Sequence, residues 1–308
     1  MSNLTTYKTW FRARIINRVL GFIATALNTF FACLPVDAAS TFGGWMARRV
    51  GPKLRVTKNA RRELNIVFPE LKNEEIELII IQMWDNLGRT AAEHPHLAKF
   101  NPYQKDGRVK IEGAEYIDQL REDNKPGIFF SGHLANWELV PLASTKRGLP
   151  LHLIYRKANN LFFDRLVQKG RLDTGGKYFP KGPAGSKGIL RVLNSGDHLA
   201  MLIDQKMNDG ISVPFMGRNA MTAPALGQLA RKYDCPVVPV QVSRIKGAYF
   251  KITVHPPIKI EITDNKNLDI HNFMTNINSI LADWIKEHPE QWLWVHNRWP
   301  NVQETLLK

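Results

Sequence analysis

The chain reads as an α/β protein with a mixed, partly parallel sheet flanked by helices. Three observations predict this. Short strand-like runs recur with helix-length stretches between them, the pattern of a layered α/β domain. At 308 residues the chain is long enough for one large core, alone or with additions. Its 44% apolar and 23% charged content is that of a folded protein rather than a disordered one.

The first element is an apolar run, Val19 to Leu34, that includes Thr25, Asn28 and Thr29. A perpendicular membrane span needs about 20 apolar residues, so this run is marginal. A secretory leader would carry a clearer cleavage site than Ala38-Ala39-Ser40. Residues 1–62 hold eleven Lys/Arg and one acid, Asp37, and so carry +10 of the formal +14. The remainder holds 31 basic and 27 acidic side chains. Cations flank the apolar run on both sides, which predicts a helix that enters or lies in a bilayer with its flanks on anionic headgroups. A buried core helix is the competing reading. The local charge also disfavours a nucleic-acid-binding protein, whose basic groove would run over the folded domain. Residues 1–62 are therefore expected to anchor a catalytic domain over 63–308.

Residues 44–62 predict a basic connector broken at Gly51-Pro52. Ile76, Ile79, Ile80, Met83, Trp84 and Leu87 recur at helical spacing over 74–92, with Asn73 as the expected N-cap. Strands are expected at Gly127–Ser131, Leu151–Tyr155, Leu199–Ile203, Pro236–Ser243 and Tyr249–Val254. Pro239 predicts an edge or a bulge for the fourth of these. Helices are expected at Asn136–Lys146, Gly188–Asn194 and Ala223–Tyr233. A terminal amphipathic helix is expected over Ile270–Glu287. No repeat or low-complexity linker divides the chain. Two distant cysteines, Cys33 and Cys235, build neither a disulfide framework nor a zinc site, which favours a reducing compartment.

The chemistry concentrates where the strand Gly127–Ser131 ends. His133 leaves the turn after Gly132, and Glu138 follows five residues later. An imidazole with an orienting carboxylate can take a proton from a hydroxyl as its oxygen attacks an acyl carbonyl. A separation of five residues does not share one helical face, so contact requires a turn that feeds a helix near Asn136. The resulting oxyanion needs donors, from turn amides or the Asn136 side chain. Asp204-Gln205 ends another strand, where α/β sites often lie; a structural cap is its plainer reading. Arg156 and Arg171 suit phosphate or carboxylate oxygens, although each also reads as surface arginine. His94-Pro-His96 lacks the acids that would complete a metal site. Gly182 to Gly188 departs from the phosphate-loop order and reads as a loop with a helix start.

Ser131-Gly-His-Leu-Ala-Asn-Trp-Glu138 resembles the signature of the late acyltransferases of lipid A biosynthesis, the lauroyl/myristoyl transferases of Gram-negative bacteria. Further blocks are similar in order along the chain: Asn59–Glu70, Ile154-Tyr-Arg156 with Asn159-Asn160, and Ile203-Asp-Gln205. They continue through Val213–Gly217 with Thr222, and Trp292–Arg298. The resemblance covers nearly the whole chain. It implies a glycerolipid acyltransferase-like fold and transfer of a fatty acyl group from acyl carrier protein to a hydroxyl of a lipid A precursor. It further implies His133 as general base with Glu138 orienting it. Asn136, Arg156, Arg171, Asp204, Gln205 and Arg298 are the implied substrate-binding residues. No metal or other cofactor is expected. The expected partners are acyl carrier protein, the lipid A precursor and anionic membrane lipids, not nucleic acid. The expected location is the cytoplasmic face of the bacterial inner membrane. A glycerophospholipid acyltransferase is the nearest alternative; those resemble H-x₄-D, whereas Glu138 stands here. An enzyme acting on a mannosylated inositol lipid is another.

Overall fold

The computed structural model describes residues 2–155, 157, 160–171 and 175–299. Its strands are β1 (Val109–Glu112), β2 (Gly127–Ser131), β3 (Leu151–Tyr155), β4 (Tyr178–Pro180), β5 (His198–Leu202), β6 (Lys206–Phe215), β7 (Arg218–Thr222), β8 (Val237–Lys246) and β9 (Tyr249–Val254). Seven of them form one sheet in the order β1-β9-β8-β2-β5-β3-β4, and β6-β7 is a separate hairpin. Every neighbour in the large sheet is parallel except β8 and β9, which run antiparallel. The sheet is mixed and mostly parallel, as the alternation of elements predicts. β1, β4 and the β6-β7 hairpin are additional to the expected strands.

Parallel neighbours need long crossovers, and helices supply them. The helices are α1 (Ser2–Cys33), α2 (Val36–Val50), α3 (Thr57–Val67), α4 (Asn73–Glu93), α5 (Glu115–Glu122), α6 (Leu139–Thr145), α7 (Leu161–Gly170), α8 (Pro183–Asn194), α9 (Ala225–Tyr233) and α10 (Lys266–Glu287). Strand β2 is buried along its whole length. Its side chains alternate between faces: Ile128 and Phe130 join the core beneath α4, α9 and α10, and Phe129 joins the opposite core with α5 and α6. Phe130 stacks on Trp284 of α10 at 6.0 Å. Burying a side chain of that size stabilises the fold by roughly 1.5–3 kcal/mol.

Two local expectations are corrected. Pro239 lies in β8, an interior strand rather than an edge, and the register shift of β8 against β9 falls between Arg244 and Lys246, not at the proline. The ladder to β2 ends at Pro239 and the ladder to β9 begins at Val240, so the missing N–H falls where the partner changes. The N-cap of α4 is Lys72 rather than Asn73, because Glu75 reaches back to accept the Lys72 backbone N–H at 2.8 Å.

Helices α1 and α2, in the segment expected to anchor the catalytic domain, touch the helices that follow. Gly43 of α2 and Gly88 of α4 meet so closely that a Cβ on either would stand 2.5 Å or less from the other's carbonyl oxygen. Asn160, at the start of α7, donates to the Asn17 carbonyl of α1 at 2.7 Å. Among the described residues no helix is long and apolar enough to cross a membrane. The side chains of α1 that are described leave Phe22, Val19, Leu20 and Ile23 exposed.

Candidate active site

The register of the sheet builds the site. In the parallel pair β2-β5, Ser131 is the partner of Leu202, so the chains leave the sheet side by side. His133 and Asp204 each lie two residues beyond those positions. Asp204 Oδ1 takes the His133 ring Nδ1–H at 2.7 Å, and Asp204 Oδ2 takes the His133 backbone N–H at 2.7 Å. The Trp292 indole donates to Oδ2 at 2.8 Å. Burial raises the Asp204 pKa, but the adjacent His133 and these donors outweigh it and hold the carboxyl well below its usual range.

The expected His133–Glu138 hydrogen bond is therefore corrected: the carboxylate on the His133 ring is Asp204. Glu138 accepts from Arg171, Nε to Oε2 at 2.8 Å and Nη2 to Oε1 at 2.5 Å, and from the Trp137 indole at 3.2 Å. Burial raises its pKa, yet the Arg171 guanidinium prevails and the net direction is down. The physical reason lies in the turn. Residues 132–138 form no continuous helix, α6 starts only at Leu139, and Ala135 takes a left-handed φ of 48°. Glu138 thus turns towards α7, where Arg171 caps the helix end.

That turn is tied down from behind. The Ala135 carbonyl accepts from Asn86 and Thr90 of α4, and the Ala135 N–H donates to Gln291. Leu134 bridges to Trp292. Asn136 is fully buried and donates to Glu93 at 2.9 Å; Glu93 in turn pairs with Arg244 of β8. Asn136 is accordingly part of the support and not an oxyanion donor facing substrate.

His133, Trp137, Glu138, Arg171 and Gln205 line one cavity of about 830 Å³. Its other walls are mainly apolar, with Ala24, Leu27 and Phe31 from α1, Met46 from α2, Leu87 from α4 and Leu166 from α7. That volume lies within the range of about 300–1,000 Å³ typical of small-molecule sites. Gln205 places its amide nitrogen 3.2 Å from His133 Nε2 and 3.2 Å from His296 Nε2. Burial, with His133 beside it, brings the His296 pKa down to about 4, so this ring is neutral at neutral pH.

Arg298, expected to bind substrate, is fully buried away from the cavity. It donates to the Met221 carbonyl and Thr222 hydroxyl, each at 2.6 Å, and staples the C-terminal segment to the β6-β7 hairpin. Arg156 lies outside the described residues, as does Asn159. His94 and His96 do not join a metal cluster; His96 Nε2 meets the Phe31 carbonyl at 2.9 Å. No group of three His, Cys, Asp or Glu suited to a metal ion occurs among the described residues. Sequence reasoning missed His296 and the Trp292–Asp204 hydrogen bond, although both residues stand inside the C-terminal block of the resemblance.

Comparison with known proteins places the chain in a family. The model of the bacterial lipid A biosynthesis acyltransferases matches residues 8–301. The chain belongs to that family. Similar proteins include the lipid A biosynthesis myristoyltransferase of Escherichia coli K12, 26% identical over 82% of this chain and 77% of that one. Lipid A biosynthesis acyltransferase 2 of Shigella flexneri is 24% identical over 93% and 88%. The lauroyltransferase of Escherichia coli K12 is 25% identical over 81% of each chain. Relatives named for different acyl chains thus lie at nearly equal distance, and identity does not select among them. Among solved structures, the 1-acyl-sn-glycerophosphate acyltransferase PlsC of Thermotoga maritima gives a TM-score of 0.39 at 11% identity, over 81% of this chain and 97% of that one. The family assignment makes the chain an acyltransferase of lipid A biosynthesis, with a lipid A precursor as the implied substrate.

Proposed function

We propose that the chain transfers a fatty acyl group from the thioester of acyl carrier protein to a hydroxyl of a lipid A precursor. The observation that carries this reading is His133, with Nδ1 held by buried Asp204 and its ring on the wall of an apolar cavity. A carboxylate on Nδ1–H leaves the Nε2 lone pair for the acceptor hydroxyl and stabilises the imidazolium that forms. The hydroxyl proton passes to Nε2 as the new C–O bond forms. The tetrahedral intermediate then collapses, the C–S bond breaks, and the departing thiolate takes that proton. The apolar walls suit the acyl chain. The Glu138–Arg171 pair holds a guanidinium at the same cavity, suited to a phosphate or the carbonyl oxygen. Arg156, with its guanidinium, is proposed as a further phosphate ligand.

The surface beside the cavity supports work at a membrane. Phe22 and Phe30 of α1 and Phe42 and Trp45 of α2 are exposed, and Phe42 stacks on Trp45 at 5.6 Å. Arg48, Arg49, Lys53 and Arg55 follow at once in the chain. An apolar face edged with cations binds anionic lipid from one side without crossing it. The cytoplasmic face of the inner membrane is the proposed location. The test is transfer from lauroyl, myristoyl and palmitoleoyl thioesters of acyl carrier protein to a lipid A precursor, followed by mass spectrometry. Native protein should acylate the precursor and His133→Ala should not; a His133→Ala protein with native turnover would falsify the assignment of the base.

A further inference from the structure

Gln205 stands where the proposed reaction needs an open lone pair. Its amide nitrogen is 3.2 Å from the Nε2 atoms of both His133 and His296, whose rings meet edge to face at 5.4 Å. The hydrogen bonds decide which way the protons point. Asp204 only accepts, so the His133 ring proton sits on Nδ1, and a neutral His133 then offers a lone pair at Nε2. An amide oxygen in that place would face a lone pair, so the NH₂ end belongs there. Its two protons serve the two rings, and His296, neutral through burial, accepts the second at Nε2.

In this arrangement the base is capped. An acceptor hydroxyl that reaches His133 Nε2 must replace one Gln205 proton there. The second proton keeps the amide on His296, so the displaced donor stays beside the reacting atoms. The attacked carbonyl carbon lies about one bond-forming distance, roughly 3 Å, from the acceptor oxygen. Asn136, bound to Glu93, is turned away from this place. We propose that Gln205, tethered by His296, moves from His133 Nε2 to the thioester carbonyl oxygen and donates its freed N–H to the tetrahedral oxyanion. Gln205 is then a catalytic residue and His296 a positioning residue that acts through it. As the acceptor C–O bond forms, the carbonyl π pair becomes the oxyanion lone pair held by Gln205. When that pair re-forms C=O, the C–S bond breaks and His133 returns its proton to the thiolate.

The inference rests on the transfer reaction proposed above, and its test separates the two. Steady-state rates are measured for the full chain with lauroyl and myristoyl thioesters of acyl carrier protein and a lipid A precursor in detergent micelles. Thermal unfolding of each variant serves as a control. Gln205→Ala and Gln205→Glu, the second of equal size but without a proton to donate, should each lower kcat about 10²-fold, with KM changed less than about threefold. His296→Leu should lower kcat about tenfold alone and not at all in the Gln205→Ala background. His296→Gln, whose amide oxygen accepts the same N–H, should recover most of that loss. A Gln205→Ala enzyme with native or raised kcat would show a plug and overturn the proposal. Costs of Gln205→Ala and His296→Leu that multiply would overturn the tether. Active Gln205→Ala beside inactive His133→Ala removes this inference alone, whereas active His133→Ala removes the reaction on which it rests.

Discussion

Two buried carboxylates flank the turn that carries His133, and they have opposite partners. Asp204 gives both oxygens to donors of the turn and to Trp292. Glu138 gives both oxygens to Arg171. Each is held ionised against burial, one beside an imidazole and the other beside a guanidinium. The difference shows that nearness in sequence did not choose the partner of the His133 ring. Glu138 is five residues from His133 and Asp204 is 71, yet the hydrogen-bonded register of β2 and β5 delivers Asp204 to the ring.

The largest expected effect breaks the Asp204 side of this comparison. Asp204→Asn keeps the shape and can still accept the Trp292 N–H, but its amide no longer favours a proton on His133 Nδ1. Loss of the orienting carboxylate in such a dyad costs about 10⁴-fold in turnover, so kcat should fall by that order. No charged partner is orphaned, so the thermal midpoint should move little. Turnover within about tenfold of native would return the orienting role to Glu138.

Glu138→Gln should show the converse balance. It takes the Glu138 charge away from the Arg171 guanidinium, which is only 13% exposed. Breaking a buried pair on one side costs about 3–5 kcal/mol, and urea unfolding should report a loss near the lower figure. Activity should fall about 10²-fold, as expected for misplacing a group at the reacting centre. Adding Arg171→Met should restore most of the stability and none of the activity. If the two substitutions instead add in stability, the pair is not the unit described here.

Beyond the two carboxylates, the cavity wall offers a smaller handle. Ala24 of α1 lines the cavity, and Ala24→Trp would fill part of it from α1. The ratio of myristoyl to lauroyl transfer should fall about tenfold, since each methylene in an apolar pocket is worth about 1–3 kcal/mol. An unchanged ratio, measured by competition between the two thioesters, would separate this cavity from acyl selection.

Much of this arrangement was legible in the sequence, for identifiable reasons. β2, β3, β5 and the first half of β8 carry apolar runs because parallel strands inside a sheet are covered on both faces, whereas β9 alternates and buries Phe250, Ile252 and Val254 on one face. β4 is three residues long, and β6 exposes Met207 and carries Gly210, so neither shows a clear period. His133 was legible because it follows a buried strand directly. Asp204 was placed at a strand end without its bond to His133, since that contact depends on strand order, which apolar periodicity does not encode. Arg298 was implied as a substrate ligand by the resemblance of its block, whereas its guanidinium donates to Met221 and Thr222 inside the fold. His296 was hidden among tryptophans that read as packing.

A third buried carboxylate completes the comparison, because its environment pushes it the other way. Glu63 of α3 accepts the Arg298 and Trp299 backbone N–H groups on Oε1, while Oε2 has no hydrogen-bond partner among the described residues. Burial raises its pKa to about 7, with the two N–H groups and the nearby arginines opposing. A carboxyl raised in the folded state binds its proton more tightly there than in the unfolded chain. Its contribution is complete below the unfolded value of about 4.3 and is lost as pH rises through about 7. Glu63→Gln keeps an oxygen for the same N–H groups and carries no ionisable proton. Relative to native protein, the variant should therefore gain about 1 kcal/mol between pH 6 and pH 8 in urea unfolding. Asp204→Asn should show no such gain in that window, because the Asp204 carboxyl is ionised on both sides of it. A flat difference for Glu63→Gln would mean that the arginines, rather than burial, control this group, and that all three carboxylates are held in one charge state.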